Sequence, residues 1–341
     1  MRSTLTASLL FRARQGPGMA NLNVAVLGSP GYAKELGKKG TESDLTFYNL
    51  KRGEDSVTMI EPSRYPEKLS PLFYAISLAK KAILVVEKID PAFGETVLML
   101  DCIGRSDGLM VLRNFIAPEQ IAPLIKGTAL EGYRVVEDDP IAIREALLEE
   151  AASMPPSDGA TCGTMPVDHF FNVRGIGTVA LGSVAQGTIK KHDLLSVLPG
   201  EKTAQIRSIQ KHDQDFDWAG EGDRAGVALK GLDVDDLDRG TILTNDATIQ
   251  TLSAITAKAR LVKYWPSPIK EGMVLHVGHW AQFLPARVQA VTVNGDWHEP
   301  TLSLSLEKPL VCRPGGLAVL TYPEGGKLRV VGAIELPRKD D

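Results

Sequence analysis

The sequence predicts an α/β domain with a doubly wound sheet, followed by two all-β barrel domains. Three observations predict it. Strand-like and helix-like stretches alternate as far as Ala152, a Pro-, Gly- and Ser/Thr-rich stretch follows, and helical periodicity is missing from there on. A chain of 341 residues is too long for one ordinary core and accommodates this division.

Residues 1–18, MRSTLTASLLFRARQGPG, hold a short apolar patch without a small-residue cleavage site, and a disordered extension before a start at Met19 is expected. The α/β domain covers 19–152. Leu22 to Leu27 reads as a strand, Leu45 to Lys51 and Ser56 to Ile60 as a hairpin, and Lys68 to Lys80 as an amphipathic helix. Ala82 to Val86 is a continuous apolar run, as buried parallel strands are. Helices at Phe93 to Cys102, Pro118 to Leu124 and Pro140 to Ala152 alternate with strands at Leu109 to Leu112 and Arg134 to Val136. The stretch 153–165, SMPPSDGATCGTM, reads as a linker. Beyond it, short β runs recur with Gly and Asp turns between them, and a break at Thr244-Asn245-Asp246 separates two barrel-sized pieces, 166–246 and 247–341.

Composition is that of a globular chain, with 43% hydrophobic and 23% charged residues. A net charge of -4 excludes coating of nucleic acid by bulk charge, so any RNA contact must be focused. Cys102, Cys162 and Cys312 are odd in number, far apart and without metal-ligand spacing; they imply a reducing, cytoplasmic setting and no metal site. No run of about 18 apolar residues is present to span a membrane. A monomer is expected.

The segment VAVLGSPGYAKELGKKG starts as a phosphate-cradling loop does, with a β-branched strand running into Gly28. The pattern G-x-x-x-x-G-K-[ST] then asks for glycine, lysine and a hydroxyl residue, and the chain supplies Ala33, Lys34 and Glu35. A loop slid to GKKGTES would use Lys38, Lys39, Thr41 and Ser43 instead.

The strongest signal lies between Pro166 and Leu243. Phe171, Val173, Gly175, Gly177, Thr178, Val179 and Gly182 are followed by a Gly187–Asp193 turn, with His192 at a usual glycine position, then by Gly222-Asp223-Arg224-Ala225-Gly226 and Arg239-Gly240-Thr241-Ile242-Leu243. These four ordered elements resemble the second domain of the elongation factor Tu-like translational GTPases. The same glycines have local reasons to be there, as turn and bulge residues of a barrel. Within that family, PVDHFF looks most like the archaeal selenocysteine-specific elongation factor. The resemblance implies a pocket for the charged amino acid lined by Asp168, His169 and Arg224. Imidazolium and guanidinium donors suit an anionic selenolate, and Asp168 would fix the His169 tautomer. The structural alternative is a packed histidine beside an Arg-Asp pair.

The third piece resembles the family's third domain through KLRVVGAIEL, one glycine short of the pattern, and holds 11 Lys/Arg against 8 Asp/Glu. There the resemblance implies contact with the tRNA stem, with phosphate contacts from Arg260, Lys263, Lys270 and Arg287. Scattered surface cations of any barrel would look alike.

On the first domain the resemblance implies a P-loop-like nucleotide site, and the residues that should build it are altered. Gly28 and Lys34 remain, but Glu35 stands where a hydroxyl would ligate Mg²⁺, and Pro30 removes an N–H donor. At the second switch, Glu61 occupies an aspartate position where it could hold a cation, while Arg64 and Tyr65 replace the glycine and histidine. The guanine-reading position has Asn114 without its aspartate, and Thr128 echoes the last motif. Only 16 residues separate Gly28 from Leu45, too few for a helix plus a long first switch.

These residues imply an elongation factor-like protein without GTPase activity. It is expected to bind aminoacyl-tRNA or a tRNA-like RNA, selenocysteinyl-tRNA-like RNA included, with neither GTP nor magnesium as cofactor, and other translation components are candidate partners. The selenocysteine factors carry a further C-terminal RNA-reading domain that this sequence does not extend into. Two alternatives stay open: a GTP-binding elongation factor with an altered nucleotide site, and a protein-interaction scaffold.

Overall fold

The computed structural model describes residues 21–53, 55–154, 162–212, 214–326 and 328–338. The expected extension at 1–18 and the middle of the expected linker lie outside the described residues.

The first unit contains β1 (Asn21–Leu27), α1 (Ala33–Leu36), β2 (Lys38–Glu42), β3 (Leu45–Arg52), β4 (Asp55–Pro62), α2 (Ser70–Ser77), β5 (Lys81–Val86), α3 (Pro91–Ile103), β6 (Gly108–Leu112), α4 (Pro118–Ile125), β7 (Arg134–Val136) and α5 (Pro140–Ser153). Its sheet runs β2-β3-β4-β1-β5-β6-β7. From β4 to β7 the strands are parallel, and β2 and β3 add antiparallel at one edge. β1 lies at the centre with all seven residues buried, and its apolar run Val24–Leu27 follows from that, while the buried Asn21 and Asn23 at its start have hydrogen-bond partners. α2 and α3 cover one face, α1 and α5 the other. α3 starts at Pro91 with the Asp90 carboxylate accepting the Phe93 N–H, and stops at Gly104 in the left-handed region.

Two features depart from expectation. The helix expected over 68–80 is shorter, because Pro71 fixes its first turn and the Lys80 N–H already bonds to Asn23 O at the entry to β5. The strand β2 was not expected, its residues KKGTE being polar and mostly exposed as suits an edge.

The second unit comprises β8 (Gly163–Val173), β9 (Gly177–Ser183), β10 (Gln186–Lys190), β11 (Leu194–Leu198), β12 (Lys202–Lys211), β13 (Gln214–Phe216), β14 (Trp218–Gly220), β15 (Arg224–Lys230) and β16 (Ile242–Thr244). β8-β16-β11-β12-β15-β9 closes on itself through the β8–β9 pairing. The barrel therefore begins inside the stretch expected to be linker. At Gly187 the close approach is plain: a Cβ there would lie 1.8 Å from Cys162 O, with φ at +65°. The third unit is the closed barrel β17 (Gln250–Leu261), β20 (Thr301–Cys312), β19 (Gln282–Thr292), β18 (Val274–His279), β21 (Leu317–Thr321) and β22 (Val330–Glu335) in spatial order.

One apolar core runs from α2 and α3 into the third barrel. The Phe73 and Phe283 rings lie 5.5 Å apart, and Arg329 Nε donates to Glu95 Oε1 at 2.9 Å across the same junction. The second barrel has its own core and meets the first unit through polar contacts. Asn21 and Asn23 side-chain amides both donate to Gly222 O, and Arg239 pairs with Asp44. Among the described residues no helix is long and apolar enough to cross a membrane.

Candidate functional site

Two places gather the residues singled out by the sequence. The first is the turn after β1. Gly28 has φ +89°, and a Cβ there would sit 2.1 Å from Val85 O, so only glycine lets the chain pass β5. Ser29, Pro30 and Gly31 turn into the single helical turn α1, and the N–H groups of Gly31 and Ala33 point toward β4. Their acceptor is Glu61. Oε1 takes the Gly31 N–H at 2.6 Å and Oε2 the Ala33 N–H at 3.3 Å. Glu61 is 8% exposed, and burial raises its pKa although the two N–H groups pull it down. The carboxylate thus lies against the backbone of its own chain's loop.

Around this turn the ends of three parallel strands deliver a charged network. Ser29 Oγ donates to Glu87 Oε1 at 2.8 Å, and Arg113 donates to Glu87 at 3.1 Å and to Asp138 at 2.7 Å. Arg113 also lies over the Tyr32 ring at 5.0 Å, and the Tyr32 hydroxyl donates to Asp138. Hydrogen bonds from Ser29 and Arg113 hold Glu87 below its ordinary pKa, and Arg113 does the same for Asp138. Glu35 stands 4.0 Å from Arg113. The position thus has four carboxylates, Glu35, Glu61, Glu87 and Asp138, and Lys34 is exposed. A cavity of about 200 Å³ adjoins it, lined by Gly28, Pro30, Glu61, Tyr65 and Phe93 among others.

The other nucleotide-site residues have different occupations. Arg64 is exposed, and the Tyr65 hydroxyl donates to Ala92 O at the start of α3. Asn114 adopts φ 55° and its amide donates to Glu87 O. Thr128 does not join them: it precedes β7, caps a short 3₁₀ turn whose Ala129 N–H bonds to Asp101 near the C-terminus of α3, and so lies toward the opposite end of the parallel strands. Of the slid loop, Lys38, Lys39 and Thr41 lie on β2 and Ser43 just beyond it, with Lys39 paired to Glu42. Among the described residues no cluster of three or more His, Cys, Asp or Glu is placed to hold a metal ion. Glu87, Arg113 and Asp138 were missed by sequence reasoning. Their one signal is position, since each follows the C-terminal end of a parallel strand or ends it, where ligands of such sheets bind.

The second place is the junction of β8 and β15. A bulge between Val167 and His169 breaks the strand's alternation, so consecutive residues Asp168 and His169 both reach the mouth of the barrel. Arg224 grips both oxygens of Asp168, and His169 Nδ1 lies 2.8 Å from Asp168 Oδ1. Asp168 is 2% exposed; burial pushes its pKa up, but Arg224 and His169 bring it below the ordinary range. All three residues come together, and they meet the first unit. His169 Nε2 lies 2.9 Å from Ser43 Oγ, and the Arg224 guanidinium stacks over Phe47 at 3.7 Å. Arg239 reinforces the seam by donating to Asp168 O and to Asp44.

The four cations of the third barrel do not form one patch. Arg260 on β17 reaches Asp101 of α3 at 3.4 Å. Arg287 on β19 sits across β20 from Ala254, which is six residues, or about 20 Å, from Arg260 along β17. Lys270 stands near Arg287, whose Nη1 donates to Gly272 O, and Lys263 lies 5.9 Å from the Tyr264 ring.

With this geometry in hand, residues 177–244 match the model of the elongation factor Tu domain 2 family. The chain is 26% identical over 296 residues to the selenocysteine-specific elongation factor of Methanocaldococcus jannaschii. The chain is related to the elongation factor Tu-like translational GTPases. Another M. jannaschii protein, uncharacterized protein MJ0325, is 35% identical over 319 residues, 93% of this chain and all of that one. The chain covers only 62% of the selenocysteine-specific factor's length, from 79% of its own. In fold it is similar to the elongation factor SelB of Methanococcus maripaludis in complex with the GTP analogue GppNHp, with a TM-score of 0.79, 21% identity, and coverage of 94% of this chain and 79% of that one.

Proposed function

We propose that the chain is a nucleotide-independent member of this elongation factor family, which binds aminoacyl-tRNA or a tRNA-like RNA across its barrels without hydrolysing GTP. The observation that carries the reading is Glu61, whose carboxylate takes the backbone N–H groups of Gly31 and Ala33. In a nucleotide loop such groups face phosphate oxygens. The residues at this turn do not fit a nucleoside triphosphate with Mg²⁺. Two like charges about 4 Å apart near a protein surface repel by roughly 4 kcal/mol, which is about a thousandfold in affinity. A triphosphate here meets four carboxylates, Glu35, Glu61, Glu87 and Asp138, with Arg113 already paired to Glu87 and Asp138.

RNA binding is supported by the relatedness to selenocysteine-specific and 1-alpha elongation factors and by the assembled Asp168–His169–Arg224 cluster. In this reading Asp168 orients the two cationic groups, and an incoming aminoacyl group takes the place of Ser43 at His169 Nε2. Phosphate contacts from Arg260, Lys263, Lys270 and Arg287 would come from separate parts of the third barrel.

Titration of a fluorescent GTP analogue with Mg²⁺ tests the first half. No saturation is expected up to about 1 mM, and saturation in the micromolar range overturns it. Protection of the aminoacyl ester from hydrolysis tests the second half. His169→Ala and Arg224→Ala should weaken binding of charged but not deacylated tRNA, and equal losses for both argue against an amino-acid pocket. Absence of protection for every charged tRNA would leave the scaffold alternative.

A further inference from the structure

The three units meet around a cavity of about 340 Å³, within the range of small-molecule sites. It lies between the α2–β5 and α3–β6 turns of the first unit, the β9–β10 turn of the second barrel, and the ends of β18 and β21 in the third. Its lining includes Lys80, Arg105 and Arg313, and among the described residues no carboxylate lines it. Lys80 pairs with Glu221 at 3.0 Å and also lies within electrostatic reach of Asp223, as Arg105 does of Asp107, though neither aspartate lines the cavity.

Three buried polar atoms without a hydrogen-bond partner among the described residues belong to residues lining this one cavity: Arg105 Nε, Ser183 Oγ and His279 Nε2. Such atoms are costly unless something satisfies them, and three around a single space point to an occupant. Each has a defined demand. Arg105 donates through Nη1 to Lys80 O at 3.1 Å, which leaves Nε as a donor facing no acceptor. His279 is 6% exposed and burial lowers its pKa to about 4, so the ring is neutral. Its Nδ1 lies 2.8 Å from Leu317 O, and because a carbonyl only accepts, the proton is on Nδ1. His279 Nε2 is therefore an acceptor that needs a donor. Ser183, 5% exposed, satisfies either kind.

We propose that this cavity binds a small phosphate compound carrying its own hydroxyl hydrogen, either inorganic phosphate or a phosphomonoester, with Arg105 and Arg313 on the phosphoryl oxygens and His279 Nε2 accepting the ligand's O–H. A fully deprotonated oxyanion such as sulfate satisfies the cations and not the histidine. Because the lining comes from all three units, the ligand binds their assembled arrangement and stabilises it by mass action. This inference does not depend on the absence of nucleotide binding.

Calorimetric titration of the full chain with sodium phosphate, glycerol 3-phosphate and sodium sulfate at matched ionic strength tests it. Saturable binding of a phosphate compound, at least about tenfold tighter than sulfate, is expected. The tighter of phosphate and glycerol 3-phosphate identifies the natural form. A ligand concentration a hundredfold above Kd should raise Tm by about 4 °C if the units unfold together. Arg313 is exposed, so Arg313→Gln should fold normally and weaken both anions, whereas His279→Asn keeps a donor for Leu317 O and should erase the preference over sulfate. Absence of saturable binding at about 50 mM means that the cavity holds water only and overturns the proposal. So does binding that Arg313→Gln leaves unchanged, or equal affinity for phosphate and sulfate.

Discussion

Replacing Glu61 with alanine isolates what its carboxylate does in the turn after β1. Its two oxygens accept the N–H groups of Gly31 and Ala33; Ala33 is buried, and a buried N–H left without an acceptor costs about 1–3 kcal/mol, whereas Gly31 is exposed and its N–H can turn to water at lower cost. The adjoining cavity of about 200 Å³ admits water to them, and removing a desolvated carboxylate offsets part of the rest. A net loss of ~2 kcal/mol is expected for this local structure. Amide hydrogen exchange reads it directly: the Gly31 and Ala33 amides should exchange roughly 30-fold faster in Glu61→Ala. Unchanged protection at both would refute the assignment. The pH dependence gives a second check. Burial raises the Glu61 pKa above its unfolded value, so the folded protein binds this proton more tightly than the unfolded chain. The stability from that proton is present below an unfolded pKa of about 4.3 and is lost as pH rises through the folded value. Glu61→Gln has no such slope. Its stability relative to wild type should rise between pH 4 and pH 7, and a constant or falling difference contradicts a carboxylate whose burial outweighs its hydrogen bonds.

Gly28→Ala combines a φ of +89° with a Cβ 2.1 Å from a backbone oxygen, and a loss of about 3 kcal/mol or more is expected; a melting temperature equal to wild type would show that the turn yields freely. Asp223, buried, accepts from Lys211 Nζ at 2.8 Å and from the Gly220 N–H, and Lys211 lies over the Phe216 and Trp218 rings. Asp223→Ala strands that ammonium and should cost about 3–5 kcal/mol in a melt followed by tryptophan fluorescence; a loss under about 1 kcal/mol is inconsistent with a buried pair. Ser43→Ala frees His169 Nε2 from the first unit, and on the pocket reading it should tighten charged-tRNA binding by a factor of about 5, one hydrogen bond's worth; an unchanged Kd speaks against displacement of Ser43. Small-angle scattering should give one profile with and without GTP or GDP, and a nucleotide-dependent change in radius of gyration contradicts the nucleotide-independent reading.

How much of this was legible in the sequence depends on how local each feature is. The second barrel could be recognised because its turns need particular residues at fixed offsets, and Gly175, Gly177 and Gly187 all have positive φ. β1 and β5 could be read because burial on both faces leaves the apolar runs Val24–Leu27 and Ala82–Val86 within them. β2 could not, since an edge strand of lysine, glycine, threonine and glutamate carries a polar loop's composition. The role of Glu61 was equally hidden. It depends on β4 lying beside β1, with Ile60 in register with Ala25, and nothing within either segment states that pairing. Asp168 and His169 were found through family likeness, but Ser43 and Phe47 as their neighbours follow only from the way the first unit meets the barrel.

The domain seams bear on whether nucleotide could still command this chain. Moving a two-state equilibrium from 1:99 to 99:1 needs roughly 5.5 kcal/mol of differential binding. On the proposed reading the groups that would supply it are engaged: Gly31 and Ala33 with Glu61, and Arg113 with Glu87 and Asp138. The first unit also shares a continuous apolar core with the third barrel, so parting them would expose Phe73 and Phe283 to water. The second barrel is the element held by hydrogen bonds and ion pairs, at Gly222, Asp44 and Ser43. Polar contacts of that kind exchange with water or with a ligand at small net cost. A ligand able to hold the second barrel in place would therefore act where it meets the other two, and the cavity bounded by Lys80, Ser183 and His279 is such a place.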